Sequence, residues 1–138
     1  MQRRRQRQRP RRPTATPPRG SDPDMEIALP YPPSANHYWR HVGPRTLISR
    51  EGRTFRRRVC AILAAARVVP KDGPLAVVID VYPPDRRRRD IDNLQKPLLD
   101  ALEKGHAYHD DSQIKDLHTR MFEPVRGGQV IVRIDPLT

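Results

Sequence analysis

Asp90 and Asp92 stand two residues apart, directly after four consecutive arginines, in the segment PPDRRRRDIDNLQK. If this segment is extended, side chains at i and i+2 project to the same side, so both carboxylates converge on one site. Two close carboxylates repel each other unless a cation lies between them. Mg²⁺ prefers oxygen ligands and commonly sits between one or two carboxylates and substrate phosphates. The spacing therefore predicts a Mg²⁺ site of the kind found in nucleases.

Lys96 follows Asp92 by four residues, so a helix that begins here places both on one face, with the ammonium near a scissile phosphate. A purely structural alternative is a capping box in which Asp92 pairs with Gln95. Pro97 conflicts with both interpretations, the shared helix face and the capping box, since each requires a helix that begins near Asp92. Proline inside an established helix removes a hydrogen bond and clashes with the preceding turn at Asn93. A helix that begins only at Lys96 or Pro97 avoids this conflict. The start of the helix stays open, and activity is expected to survive the proline.

A second acidic pair, Asp110 and Asp111, lies in HAYHDDSQIKD. A polar turn there can bring a third carboxylate back toward the first two, although chain order alone does not show this. Adjacent acids in a loop are more often solvated, or they cap the next element. His106 and His109 raise the question of zinc, but no cysteine or further ordered histidine accompanies them, so a zinc site is not expected.

Strand patterns occur in four segments that would carry these residues. In MEIALP, Ile27 and Leu29 share one face, and LAVVIDVY has an apolar face and a β-branched face that are typical of a central strand. Two further strands, DLHTRMFE and QVIVRID, are expected to meet across a turn at Gly127 and Gly128.

Helix patterns occur in two segments. An apolar stripe predicts a helix over residues 52–68, and LQKPLLDALEKG predicts a second helix that ends at Gly105. The order β, α, β, α, β, β predicts one α+β domain over residues 25–138, with a mixed β-sheet and two main helices.

The stretch YPPSANHYWRHVGPRTLIS lacks a clear period and is interpreted as a long loop. Tyr31, Tyr38 and Trp39 in this loop are expected to pack it against the core. The alternative is that they stack on nucleic-acid bases.

The formal net charge of +11 is typical of a protein that binds a polyanion. Residues 1–24 contain eight arginines against two aspartates and contribute more than half of this excess. Their composition predicts a disordered extension. It is interpreted as a flexible DNA-binding arm, with a solvated tail or a translation start at Met25 as alternatives.

The single cysteine, Cys60, lies in the apolar stretch VCAILAAA and is interpreted as a small core residue. The sequence has no apolar run of transmembrane length, and its basic beginning is not followed by the apolar segment of a secretory signal. A cytoplasmic protein without membrane contact is expected.

Four segments in this order closely resemble the RusA family of crossover junction endodeoxyribonucleases: PPSANHYWR, PPDRRRRDIDNLQK, DALEKGHAYHDDSQI and EPVRGGQVIVRI. The resemblance covers roughly residues 25 to 136. It implies that Asp90, Asp92 and Asp111 are the catalytic, metal-binding acids and that Lys96 is the essential lysine. It also implies that the arginine run meets the DNA backbone, through Arg86, Arg87, Arg88 and Arg89.

On this basis the expected activity is Mg²⁺-dependent resolution of four-way DNA junctions by paired symmetric nicks, in recombination and repair, with Mn²⁺ as a substitute metal. A two-fold homodimer would present two equivalent active sites to the two target strands. The gene is expected to be bacterial, phage or prophage. The alternatives are a non-catalytic, architectural DNA-binding protein, and a metal nuclease with broader specificity for branched DNA.

Overall fold

The computed structural model describes residues 24–137. They form an α+β fold, as predicted, with a mixed sheet on which two long helices pack. The elements are β1 (Met25–Leu29), α1 (Ala35–Tyr38), β2 (Trp39–Val42), β3 (Arg45–Ile48), α2 (Arg50–Ala65), β4 (Leu75–Tyr82), α3 (Asp92–Lys104), β5 (Ile114–Met121) and β6 (Gln129–Pro136). Apart from Asp24, the extension predicted to be disordered lies outside the described residues.

The main sheet has the strand order β1-β6-β4-β5. β4 lies inside it, parallel to β5 and antiparallel to β6, and every one of its residues is buried. This confirms LAVVIDVY as the central strand, because a strand covered on both faces is mainly apolar or β-branched. The exception is Asp80, which is buried and pairs with Arg120 at 3.0 Å.

The hairpin predicted between the last two strands is wrong, because β5 and β6 lie on opposite edges of β4. The connection between them crosses the end of β4. The N–H of Phe122 donates to the Val81 carbonyl at 2.8 Å, and that of Val125 donates to the Pro83 carbonyl at 2.9 Å. A tight turn at the two glycines then starts β6, and Gly127 and Gly128 both have positive φ. An apolar central strand needs a partner at each edge, and this need decides the topology.

Helix α2 begins two residues earlier and ends three residues earlier than predicted. The Ser49 side chain caps its start by accepting from the Gly52 N–H at 2.9 Å. Arg67 has φ +59°, a left-handed conformation that ends the helix. Its buried residues, Phe55, Val59 and Leu63, belong to the predicted stripe. Cys60 is only partly buried and lies outside the core, contrary to its interpretation as a core residue.

The long loop predicted before α2 is also wrong, because it contains α1 and an antiparallel hairpin formed by β2 and β3. Strands of four residues are too short to show a clear period in the sequence. The packing role expected of the aromatic residues is confirmed for Tyr38, which is fully buried and contacts the Trp39 ring edge-on at 4.5 Å. No helix within residues 24–137 is both long and apolar enough to cross a membrane.

Candidate active site

Helix α3 positions one side of the site. It begins at Asp92, after Ile91 as the cap residue, so neither the capping box at Asp92 nor a start at Lys96 or Pro97 is correct. Pro97 lies inside the helix and is buried, and it has no N–H to donate to the Asn93 carbonyl. The helix tolerates this loss because the face on which Pro97 lies packs into the core. Its other buried residues are Leu94, Leu98, Ala101 and Leu102.

One face of α3 carries three charged side chains, Asp92, Lys96 and Glu103, at positions four and seven residues apart. The turn that follows the helix brings Asp111 against this face. The Asp111 N–H donates to Glu103 Oε1 at 3.0 Å, and Lys96 Nζ lies 3.5 Å from Asp111 Oδ2. Asp92 and Lys96 therefore share a helix face, as predicted, and the carboxylate that Lys96 contacts is that of Asp111.

Glu103, Asp110 and Asp111 form a carboxylate cluster, in which one oxygen atom from each lies within 4.8 Å of the others. The sequence interpretation did not include Glu103. Helical periodicity offered a signal, because Glu103 lies seven residues after Lys96 and therefore on nearly the same face. The local pattern could not show that the segment with Asp110 and Asp111 packs against the helix turn that carries Glu103.

Asp110 has a structural role as well. Its carboxylate accepts from the Ser112 N–H at 2.8 Å and caps the 3₁₀ turn Asp111–Gln113, which confirms the capping alternative for this residue. This backbone hydrogen bond holds the pKa of Asp110 below its usual range. The Gln113 side chain completes the capping box and donates to the carbonyls of Lys71 and Gly73, both at 2.9 Å. The acidic turn is thereby fixed to the chain that leads into β4.

Asp90 and Asp92 do not belong to the carboxylate cluster of the described residues. Ile91, between them, has φ −60° and ψ −42°, so the backbone is helical there and the expected extended geometry is wrong. Asp90 lines an open cleft of about 630 Å³ between the arginine run and the loop that precedes α1, whereas Asp92 is exposed at the first turn of α3. Their roles as metal ligands remain predictions.

The arginines before Asp90 divide into two groups. Arg89 lies 2.8 Å from Asp85 and packs over the Tyr31 ring at 5.6 Å, and its hydrogen bond lowers the pKa of the Asp85 carboxyl. Arg89 therefore holds the loop in place. Arg86, Arg87 and Arg88 are exposed, although Arg86 lies 3.3 Å from Glu123 and Arg87 lies 4.0 Å from Asp85. Arg87 and Arg88, like Arg89, line the cleft beside Asp90. Contact with DNA remains a prediction for all four.

Behind the site, Tyr38 connects three helices. Its hydroxyl donates to Asp100 on α3, and Arg56 on α2 lies 2.9 Å from the same carboxylate oxygen. Burial raises the pKa of Tyr38, so its hydroxyl remains a donor at neutral pH. Because Asp100 lies between Lys96 and Glu103 along α3, this network fixes the helix that carries both.

The carboxylate cluster has the chemistry of a site for a hard divalent cation. All its donors are oxygen atoms, which suit Mg²⁺, Mn²⁺ or Ca²⁺ better than zinc. His106 and His109 are not part of it, and His109 Nε2 instead lies 2.9 Å from Asp72. The cation class expected from the sequence fits this site, although the acids brought together include Glu103 and not Asp90 or Asp92.

Comparison with known proteins shows similarity over nearly all of the described residues. The family described as endodeoxyribonuclease RusA matches residues 30–135. The crossover junction endodeoxyribonuclease RusA of Escherichia coli strain K12 is 40% identical over 109 residues, which cover 78% of this chain and 91% of the relative. Proteins of the same name from Shigella sonnei and from Enterobacteria phage 82 are 41% and 40% identical over the same length and the same shares of each chain.

Proposed function

The chain belongs to the RusA family of endodeoxyribonucleases, and from this premise we propose that it resolves four-way DNA junctions by metal-dependent hydrolysis of phosphodiester bonds. The observation that carries the proposal is the contact of Asp111 with both Lys96 and Glu103. An ammonium group beside clustered carboxylates suits a substrate that is a phosphate held next to a cation. A surface that only binds DNA has no need of the carboxylates.

Mg²⁺ is the proposed cofactor, with Mn²⁺ as a substitute. Asp111 and Glu103 would hold it, with Asp110 beside them, and Asp90 and Asp92 are the further ligands that the family resemblance implies. The chemistry that the ion would supply is a lowered pKa of a bound water molecule and a positive charge that offsets the charge developing on the phosphodiester. The close carboxylates support a cation here, since they would otherwise repel one another.

The protein's own side chains then have distinct roles. Lys96 stabilises the negative charge that builds up on the phosphoryl oxygens, and its distance from Asp111 keeps it within reach of a phosphate at the cluster. The exposed Arg87 and Arg88 hold the strand beside Asp90, with Arg86 as a further contact. Arg89 acts mainly by holding the loop in its conformation through Asp85.

We propose that the active form is a two-fold homodimer that makes paired symmetric nicks during recombination and repair. Resolution requires one cut in each of two equivalent strands. The two active sites of a two-fold dimer are identical and related by the same symmetry as the two target strands, whereas one copy presents a single site.

The test is cleavage of a labelled four-way junction by the wild type and by Asp90→Asn, with Asp72→Asn as the control. Asp72 is exposed, and its one contact among the described residues is with His109. Asparagine keeps the shape of aspartate and removes its charge. Asp90→Asn is therefore expected to retain or strengthen junction binding while metal-dependent cutting falls by at least about a hundredfold. Asp72→Asn should cut like the wild type.

Matched linear duplex and flap substrates distinguish the alternatives. Paired nicks confined to the junction support the proposal. Tight binding without cutting in Mg²⁺ or Mn²⁺ identifies an architectural DNA-binding protein instead. Equal cutting of flaps or duplex identifies a nuclease of broader specificity.

A further inference from the structure

A second groove, of about 840 Å³, adjoins the cleft at Asp90. We call it the α2 groove, because it lies between α1, the β2–β3 hairpin and the first half of α2. The two depressions share five lining residues, Tyr31, Pro32, Pro33, His37 and Pro84. A DNA strand that leaves the cleft therefore has an adjoining groove to follow, and this groove is larger than the cleft itself.

The α2 groove is basic. Arg40, Arg50 and Arg58 line it, and all three are exposed. None of them forms an ion pair with another residue of the described chain, and Glu51 is the only acid in the lining. Arg58 also lines a further depression together with Arg126, so the positive surface continues beyond the groove.

The charges on α2 are unfavourable for the helix itself. Arg50 and Arg53 lie in its first turn, where the helix dipole is positive, and Arg57 and Arg58 follow one turn later. Arginines three or four residues apart on one helix repel each other. Of the five arginines on α2, only Arg56 has a carboxylate partner among the described residues. Glu51 in the first turn and Asp100 beside Arg56 offset part of this repulsion, and a negatively charged ligand would relieve the remainder.

We infer that the α2 groove binds the phosphodiester backbone of the DNA arm next to the scissile phosphate. This inference rests on the proposed function, because it extends the path of the substrate away from Asp90. Arg50 and Arg58 are eight residues apart, or about 12 Å along the helix at about 1.5 Å per residue. At that separation the two guanidinium groups can contact phosphates about two nucleotides apart on one strand. The spacing and the charge both fit a backbone contact that is independent of base sequence.

The test is the double variant Arg50→Gln/Arg58→Gln. Glutamine is a good helix former, so the variant should fold as well as the wild type, or slightly better once the repulsion is removed. The control is Arg67→Gln/Lys115→Gln, which removes the same charge from two exposed side chains away from both grooves. Arg67 lies beyond the opposite end of α2, roughly 25 Å from Arg50 at the helical rise.

Affinity for a four-way junction is measured without divalent metal at several salt concentrations. In the groove variant we expect an affinity loss of roughly tenfold and a slope of log K against log [salt] that is less steep by about 2, one unit for each phosphate contact. In the control variant, the affinity and the salt slope should differ much less from those of the wild type. The single-turnover cutting rate at saturating enzyme should be unchanged. Hydroxyl-radical footprints should lose protection on one side of the cut only.

Three of the following four outcomes overturn the inference, and the remaining one overturns only the proposed function. If the wild type cuts junctions but the groove variant binds like the control, the groove inference fails and the function stands. If the groove variant loses its saturated cutting rate at unchanged affinity, the arginines act on the reaction and not on the DNA arm. If the wild type binds junctions without cutting them, the proposed function fails. The affinities of the groove variant and the control still show whether the α2 groove binds DNA. If it binds no DNA, both fail.

Discussion

Asp111 is held from two directions by one helix. Glu103 accepts from its backbone N–H, and Lys96 lies beside its carboxylate. The hydrogen bond from the Asp111 N–H fixes the main chain of this residue. The Lys96 ammonium group attracts the Asp111 carboxylate toward the position expected for a phosphate. Glu103 also adds its own charge to the carboxylate cluster. At the residue scale, Glu103 thus positions Asp111, and its carboxylate is a proposed ligand of the cation.

Glu103→Gln separates these two contributions. Glutamine can still accept from the Asp111 N–H but lacks the charge, whereas Glu103→Ala lacks both. We expect Glu103→Gln to raise the Mg²⁺ concentration for half-maximal cutting by about 10- to 100-fold, the range typical of residues that support a metal site, and Glu103→Ala to raise it further. Metal titrations of the cutting rate measure this. Lys104→Gln, on the neighbouring exposed residue, is the control. Equal metal dependence in all variants would exclude Glu103 from cation binding.

At the scale of elements, the start of α2 is packed against the hairpin segment through a glycine. The N–H of Ser49 donates to the Tyr38 carbonyl at 2.9 Å, which brings the first turn of α2 directly against α1. A Cβ atom on Gly52 would overlap that carbonyl oxygen and would lie 2.9 Å from Ile48 Cγ1. The close approach places Tyr38 where it can donate to Asp100, and so connects the hairpin to the helix of the active site.

Gly52→Ala tests this packing, because helix propensity and steric overlap predict opposite changes in the free energy of unfolding. Helix propensity alone predicts that alanine stabilises α2 by about 1 kcal/mol. The overlap with Tyr38 predicts a loss of about 1–3 kcal/mol in the free energy of unfolding, as is usual for overpacking. We expect the loss, measured by urea denaturation. Thr54→Ala, at an exposed position half a turn away, should change stability little. A stabilised Gly52→Ala variant would contradict the close contact.

At the scale of the whole molecule, the positive charge is distributed unevenly. The first 24 residues carry eight of the 27 basic residues, and the folded part carries a surface of exposed arginines around the cleft and the α2 groove. Since the core elements all lie within residues 25–136, the extension is not needed to complete the sheet. We therefore expect its charge to affect affinity for DNA and not the reaction.

Removing residues 1–23 is therefore expected to leave the melting temperature and the saturated cutting rate unchanged. Junction affinity near 0.1 M salt should fall by about tenfold or more, with a less steep salt dependence, because fewer phosphates are neutralised. Calorimetry and binding titrations measure these effects. A chain with the same 23 residues in scrambled order is the control and should bind like the full chain. A lower melting temperature after truncation would show that the extension packs on the fold.

The sequence by itself determined much of this protein. Its linked motifs identified the family, its charge predicted the class of partner, and its apolar periods located β4, α2 and α3. These properties are readable because each depends on residues close together in the chain. The common helix face of Asp92 and Lys96 was also predicted, because residues four apart on a helix lie one above the other.

Only the tertiary structure decided which acids meet. Glu103 joins Asp111 because the 3₁₀ turn carries the chain back to α3, and Ile91 separates Asp90 from Asp92 because the backbone is already helical there. The position of β6 beside β4, in place of a hairpin with β5, follows from the need to pair both edges of a buried strand. Such contacts join residues far apart in the chain. Local periodicity does not encode them, because it records the face that a residue occupies and not the segment that packs against it.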